Sequence, residues 1–114
     1  MRTRVFLVTS ALASFVGALS GCTLPPQSAG DVSDAQIAFY QSNVVKGCEK
    51  SARARGLPEE QVTRRCGCVL ETLKSSVQRS DWQQAYFYAS RGEAEKEKAV
   101  FAEPMKKLVN CRGA

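Results

Sequence analysis

Apolar positions along this chain gather in blocks with different periods. The first block, Val5 to Leu19, contains no charged residue. The second recurs at Ile37, Phe39, Tyr40, Val44, Val45, Cys48 and Ala52, which suits one buried face of a helix. The third is the cleanest stripe, with Val62, Cys66, Val69, Leu73 and Val77. A fourth carries Trp82, Tyr86 and Ala89 at i, i+4 and i+7, with Phe87 and Tyr88 beside them. No segment alternates with the period of two that a strand requires, and no internal repeat stands out. The pattern predicts an all-α fold, a small bundle of about four short helices over residues 33–55, 58–79, 81–91 and 93–111.

Punctuation between the blocks supports these bounds. Ser33 and Gln36 have the spacing of a capping box, and Val32 with Ile37 that of a hydrophobic staple. Gly56 suits the position just past a helix and Pro58 the first turn of the next, so the first two helices should lie antiparallel. Ser80 and Gln83 read as a second capping box, and Gly92 as the stop of the third helix. Glu93, Glu95 and Glu97 open the fourth helix, and Lys106, Lys107 and Arg112 close it, as the helix dipole prefers. The same dipole explains the three glutamates without a bound cation. Pro104 should kink that helix or split it.

The uncharged block at the start has a different character. Arg2 and Arg4 precede it and Leu19-Ser20-Gly21-Cys22 end it, in the order of a basic region, an apolar core and a small-residue cleavage site. As a helix the block would reach only about 22 Å, short of the roughly 30 Å hydrocarbon core. A secretory signal over residues 1–21 is therefore the expected reading, ahead of a transmembrane span. The three features together resemble the leader and lipobox of bacterial lipoproteins. That resemblance implies that Cys22 becomes the first residue of the mature chain. Cys22 would carry a thioether-linked diacylglycerol and an amide-linked acyl chain such as palmitate, a stable anchor because several chains are buried. Thr23, in place of the aspartate that commonly marks inner-membrane retention in such lipoproteins, implies the outer membrane rather than the inner. The domain would then face the periplasm of a bacterial cell envelope. Residues 22–32, with Pro25-Pro26 and Gln-Ser-Ala-Gly, read as the lipidated anchor and a flexible tether. Residues 33–114 are left as the helical, disulfide-bonded domain.

Composition narrows the function. Removing 21 of the 114 residues leaves 93, one domain at most and close to the size at which a core needs covalent help. Without Arg2 and Arg4 the body holds 14 basic and 11 acidic side chains, a net +3 that falls short of a nucleic-acid-binding composition. Histidine is absent, which removes the commonest general base and the commonest metal ligand. No enzyme activity, metal or cofactor is expected beyond the covalent lipid on Cys22.

Five cysteines would leave an odd thiol, but lipidation of Cys22 leaves four: Cys48, Cys66, Cys68 and Cys111. An even set in a small exported domain reads as a disulfide framework. Cys66 and Cys68 lie about 200° apart around a helix and cannot bond each other without breaking it. One must reach Cys48 and the other Cys111. In the hairpin, Cys48 and Cys66 stand at matching heights, which favours Cys48–Cys66 with Cys68–Cys111. The alternative, Cys48 to Cys68, is offset by only about 3 Å. Two other readings compete with structural cystines. A Cys₄ zinc site is disfavoured by the tight Cys-x-Cys spacing and by export. Thiol–disulfide exchange at Cys66 and Cys68, with Arg64 and Arg65 lowering a thiol pKa, lacks the sheet on which such motifs normally sit.

Trp82, Tyr86, Phe87 and Tyr88 offer either core or a partner surface, and core is the commoner use of such a stripe. Lys46, Lys50 and Arg53 share a helical face that would meet solvent, an acidic partner or anionic lipid headgroups and glycans. The layout Cys48, Cys66-Gly67-Cys68, Cys111 loosely resembles small helical exported bacterial domains, a resemblance of spacing that carries no activity. The expectation is a membrane-anchored, non-enzymatic binding or structural module of the envelope, most readily one that holds another envelope protein. A periplasmic thiol–disulfide or stress-response factor is the runner-up. Binding of anionic lipid or glycan by the basic face is third, and no small-molecule ligand is named by the sequence.

Overall fold

Helix α1 (Asp34–Ala54) begins where its capping box places it, in a computed structural model that describes residues 25–113. The Gln36 N–H donates to Ser33 Oγ at 3.2 Å, and the Ser33 N–H donates to Gln36 Oε1 at 2.9 Å. Val32 and Ile37, the expected staple, are both buried in one cluster. Gly56 follows the helix at φ 79°, where a Cβ would be strained. This lets the Gly56 N–H donate to Arg53 O at 2.9 Å and the Leu57 N–H to Ala52 O at 3.2 Å. That pair of bonds is a Schellman ending. Gly92, at φ 70°, ends α3 (Arg79–Ser90) in the same way, through Ala89 O and Tyr88 O.

Helix α2 (Glu59–Ser76) runs back along α1. Pro58 stands one step outside it as the N-cap residue, with its carbonyl accepting from the Val62 N–H at 2.9 Å. Glu59 and Glu60 occupy the first turn, as the dipole favours. The α2 stripe is buried at Val62, Cys66, Leu73 and Val77 and half-buried at Val69. On α1, Phe39 departs from its expected place: it is 60% exposed, while Ile37 and Ala52 are buried.

Two boundaries differ from the sequence-based expectation. Helix α2 stops at Ser76 rather than near Arg79, because Val77 turns extended and buries its side chain. Helix α3 then starts two residues early, at Arg79, and Gln78 precedes it without a side-chain cap. The Ser80–Gln83 box does not form. Gln83 is instead buried, and its Nε2 donates to Val32 O at 3.0 Å. The staple that buries Val32 also buries its carbonyl, and Gln83 supplies the missing donor.

The fourth expected helix is three pieces: α4 (Ala94–Val100), α5 (Ala102–Lys106) and a 3-10 turn over Lys107–Cys111. The break falls at Phe101 rather than at Pro104. Proline lacks the N–H that would reach back four residues, and its ring excludes the carbonyl there, which belongs to Val100. Helix α4 therefore ends at Val100, and Pro104 sits comfortably in the first turn of α5. The stretch assigned to anchor and tether is described from Pro25 onward. There Pro26 and Val32 are buried, and Ala29–Asp31 winds into a 3-10 turn that packs on α3.

The all-α body holds two apolar clusters. The larger joins Val32, Ile37, Leu73, Val77 and Trp82, flanked by Tyr40, Val44, Tyr86 and Phe101. The smaller, toward the α1–α2 turn, is Ala52, Val62 and Cys66, flanked by Val45, Cys48 and Leu57.

Candidate functional site

The cysteines close two bridges. Cys48 joins Cys66 across the α1–α2 hairpin, with Cα atoms 5.7 Å apart. Cys68 joins Cys111 at 5.6 Å and draws the C-terminal 3-10 turn onto α2. Two residues apart on one helix, Cys66 and Cys68 thus reach different neighbours, as the helical turn demands. Thr72 lies against the second bridge, its Oγ1 3.5 Å from Cys111 Sγ. Cys66 is 1% exposed and Cys111 is also buried. Cys48 and Cys68 are half-buried, so within Cys66-Gly67-Cys68 only Cys66 is shut away from an attacking thiolate. The described residues hold no group of three or more potential metal ligands. The expected signal over residues 1–21 and the expected lipidation of Cys22 lie outside the described residues. No described helix is long and apolar enough to cross a membrane.

The aromatic set divides between core and surface. Trp82 is 4% exposed, so it does not belong to a partner surface. Its ring meets Phe101 edge-on at 5.5 Å and Tyr40 at 6.1 Å, while Tyr40 stacks on Phe101 at 6.2 Å. Tyr86 meets Tyr40 edge-on and is half-buried on the same cluster. Phe87 and Tyr88 are half-buried toward the rim, with Arg91 4.4 Å over the Phe87 ring and Lys96 5.8 Å over that of Tyr88.

The expected basic face is also divided. Lys46 and Lys50 are exposed. Arg53 is held by Glu59 through Nε at 2.8 Å and a terminal nitrogen at 3.0 Å, and by Glu49 at 3.1 Å. The Arg53 hydrogen bond holds the Glu59 carboxyl below its ordinary value. Through Nε and one terminal nitrogen Arg53 pins the two helix ends at the α1–α2 turn, and the two carboxylates offset its charge toward an outside anion.

A groove is the feature that the sequence did not reveal. It encloses about 390 Å³ between Tyr40 and Val44 of α1, Leu73 of α2, Ala94, Glu95, Glu97 and Lys98 of α4, Phe101, and Met105 of α5. Its floor is apolar and its charged residues come from α4 alone. Met105 is 54% exposed, a flexible apolar side chain at the border of an open site. Burial first, and then the Glu97 carboxylate, raise the Tyr40 phenol above its ordinary titration range. Tyr40 therefore stays neutral at physiological pH and serves the groove as an apolar wall with a hydroxyl.

The chain matches no known protein family, no curated protein and no solved structure.

Chemically, this groove suits recognition. It offers aromatic and aliphatic surface, one phenol and a short charged border, the composition of a binding site more than of a reactive one. Val44, Phe101 and Met105 come from three separate segments, so no spacing rule could have collected them. A weak signal existed in Phe101, Met105 and Leu108, which follow the Glu/Lys-rich run at i, i+4 and i+7.

Proposed function

We propose that this protein is a lipid-anchored, periplasm-facing module of the bacterial outer membrane that binds another envelope protein without catalysis. The open apolar groove between α1, α2 and α4 is the observation that carries the binding role. A protein partner is favoured because the groove is open, mixes aromatic and methionine surface, and carries charge of both signs on one side only. Such surfaces accept the apolar side chains of a helix or loop, and charges at the border set orientation. The basic start, apolar run and Leu19-Ser20-Gly21-Cys22 support the anchor, and two closed cystines fit an oxidising compartment.

A photo-crosslinking residue at Lys98, on the groove border, tests this in intact cells. It should give one discrete protein adduct that Met105→Glu abolishes and that the same probe at exposed Thr63 does not give. Equal adducts from both positions, or adducts indifferent to Met105→Glu, would remove the groove from the function.

A further inference from the structure

At the disulfide end of the body a second cavity, of about 140 Å³, lies between the end of α1, the middle of α2 and the C-terminal 3-10 turn. Arg55, Arg65 and Arg112 border it, one from each of those segments, beside Cys48 and Cys111. The cystines set this arrangement. Arg65 directly precedes Cys66 and Arg112 directly follows Cys111, so each bridge fixes the backbone next to a cavity arginine. Arg55 ends the helix that carries Cys48.

Gathering three like charges is unfavourable unless something negative offsets it. Among the described residues the ion pairs engage Arg53, Arg79, Lys96 and Lys106, and no carboxylate lies within pairing distance of Arg55, Arg65 or Arg112. The Arg65 Nε is, in addition, shut off from solvent, with no acceptor among the described residues. Buried polar groups in folded proteins almost always have a partner, so this unmet N–H adds to the unbalanced positive charge of the arginine set.

We propose that Arg55, Arg65 and Arg112 form a binding site for a phosphate group. A carboxylate has two oxygens, which a single guanidinium fork can occupy. Three arginines from three segments suit a tetrahedral oxyanion, with more oxygens and up to two charges. The cavity has room for several waters at about 30 Å³ each, and so for a phosphate group. Lys46, Lys50 and Arg53 are no part of this site, and it does not depend on the groove or its occupant. The phosphate could be the monoester headgroup of a lipid or a free ion; both present at least three unesterified oxygens and up to two charges, so the chemistry of recognition is shared.

Calorimetric titration of the full chain, in neutral detergent with both cystines closed, tests the site. Inorganic phosphate at constant ionic strength should bind saturably, one per chain. Arg55→Gln, Arg65→Gln and Arg112→Gln should each weaken binding by about tenfold or more, and Lys50→Gln should leave it unchanged. Arg55 and Arg112 are exposed, so their variants keep the test decisive even where Arg65→Gln fails to fold. Tighter binding of glycerol 3-phosphate, the monoester headgroup of phosphatidic acid, assigns the site to lipid. Tighter binding of inorganic phosphate assigns it to the free ion. The proposal is overturned by the absence of saturable binding up to about 10 mM, by acetate binding as well as phosphate, or by Arg55→Gln and Arg112→Gln variants that bind like the parent.

Discussion

The Gln83 side-chain amide donates to the Val32 carbonyl at 3.0 Å, inside the body, across 51 residues of sequence. This bond ties the segment entering α1 to the first turns of α3. Arg79 reinforces the same junction outside, its Nε 2.8 Å from Asp34 Oδ1. The exposed ion pair contributes little, whereas removing the buried donor leaves a carbonyl without a partner. Gln83→Leu should therefore cost about 1–3 kcal/mol of unfolding free energy, and Arg79→Ala less than about 1 kcal/mol. Urea denaturation of the oxidised protein separates the two, and equal losses would show that the Val32 carbonyl is satisfied otherwise.

The bridges close loops with sequence separations of 18 and 43 residues. Chain entropy then assigns about 3 kcal/mol to Cys48–Cys66 and about 4 kcal/mol to Cys68–Cys111. Paired Cys→Ala variants should each lose stability of that order, with the second pair losing more and freeing the C-terminal turn first to proteolysis. Non-reduced peptide mapping of the parent should find these two pairs, and a Cys48–Cys68 peptide would refute the pairing.

Aromatic positions should split sharply by burial. Trp82, packed on Tyr40 and Phe101, should cost about 3–5 kcal/mol as Trp82→Ala. Exposed Phe39 should tolerate Phe39→Ser within about 0.5 kcal/mol. Thermal melts of the two variants provide the comparison, and a large loss at Phe39 would mean that a further surface covers it in solution.

Tyr40 makes stability depend on alkaline pH. Its folded titration value is raised, by burial and then by Glu97, above the unfolded value of about 10. The neutral phenol thus contributes stability that is complete below about pH 10 and is lost as pH rises from there toward the folded value. The slope should fall short of a full proton, because the ring is only half-buried and solvent screens the Glu97 charge. Tyr40→Phe should flatten the decline between about pH 10 and 11. An unchanged decline in that variant would assign the alkaline limb to other groups.

Local signals carried most of the architecture. The Ser33–Gln36 box, the two glycine endings and the α2 stripe each depend on residues within a few positions of one another, so the sequence held them nearly complete. Cystine pairing was legible for a related reason: once Gly56 and Pro58 make α1 and α2 a hairpin, helical rise alone sets Cys48 opposite Cys66. Failures occurred where a distant partner outbid a local one. Gln83 had the spacing of a cap for Ser80, but the carbonyl of Val32 claimed its amide. Phe39 was a different failure: it stands about 200° around the helix from Ile37, so helical geometry alone turns it to solvent. Pro104 did break its helix, three residues earlier than its own position because the excluded carbonyl lies upstream. The groove and the three-arginine cavity are assembled from segments far apart in sequence, and only their packing brings them into view.

Anchor and disulfide framework meet in one measurement, the intact mass of the protein extracted from membranes and alkylated without prior reduction. The mass should be that of a chain beginning at Cys22 and carrying its acyl lipid, with no alkylated thiol. A chain that keeps its first 21 residues, an unmodified Cys22, or any uptake of alkylating agent would contradict a lipid-anchored body closed by two cystines.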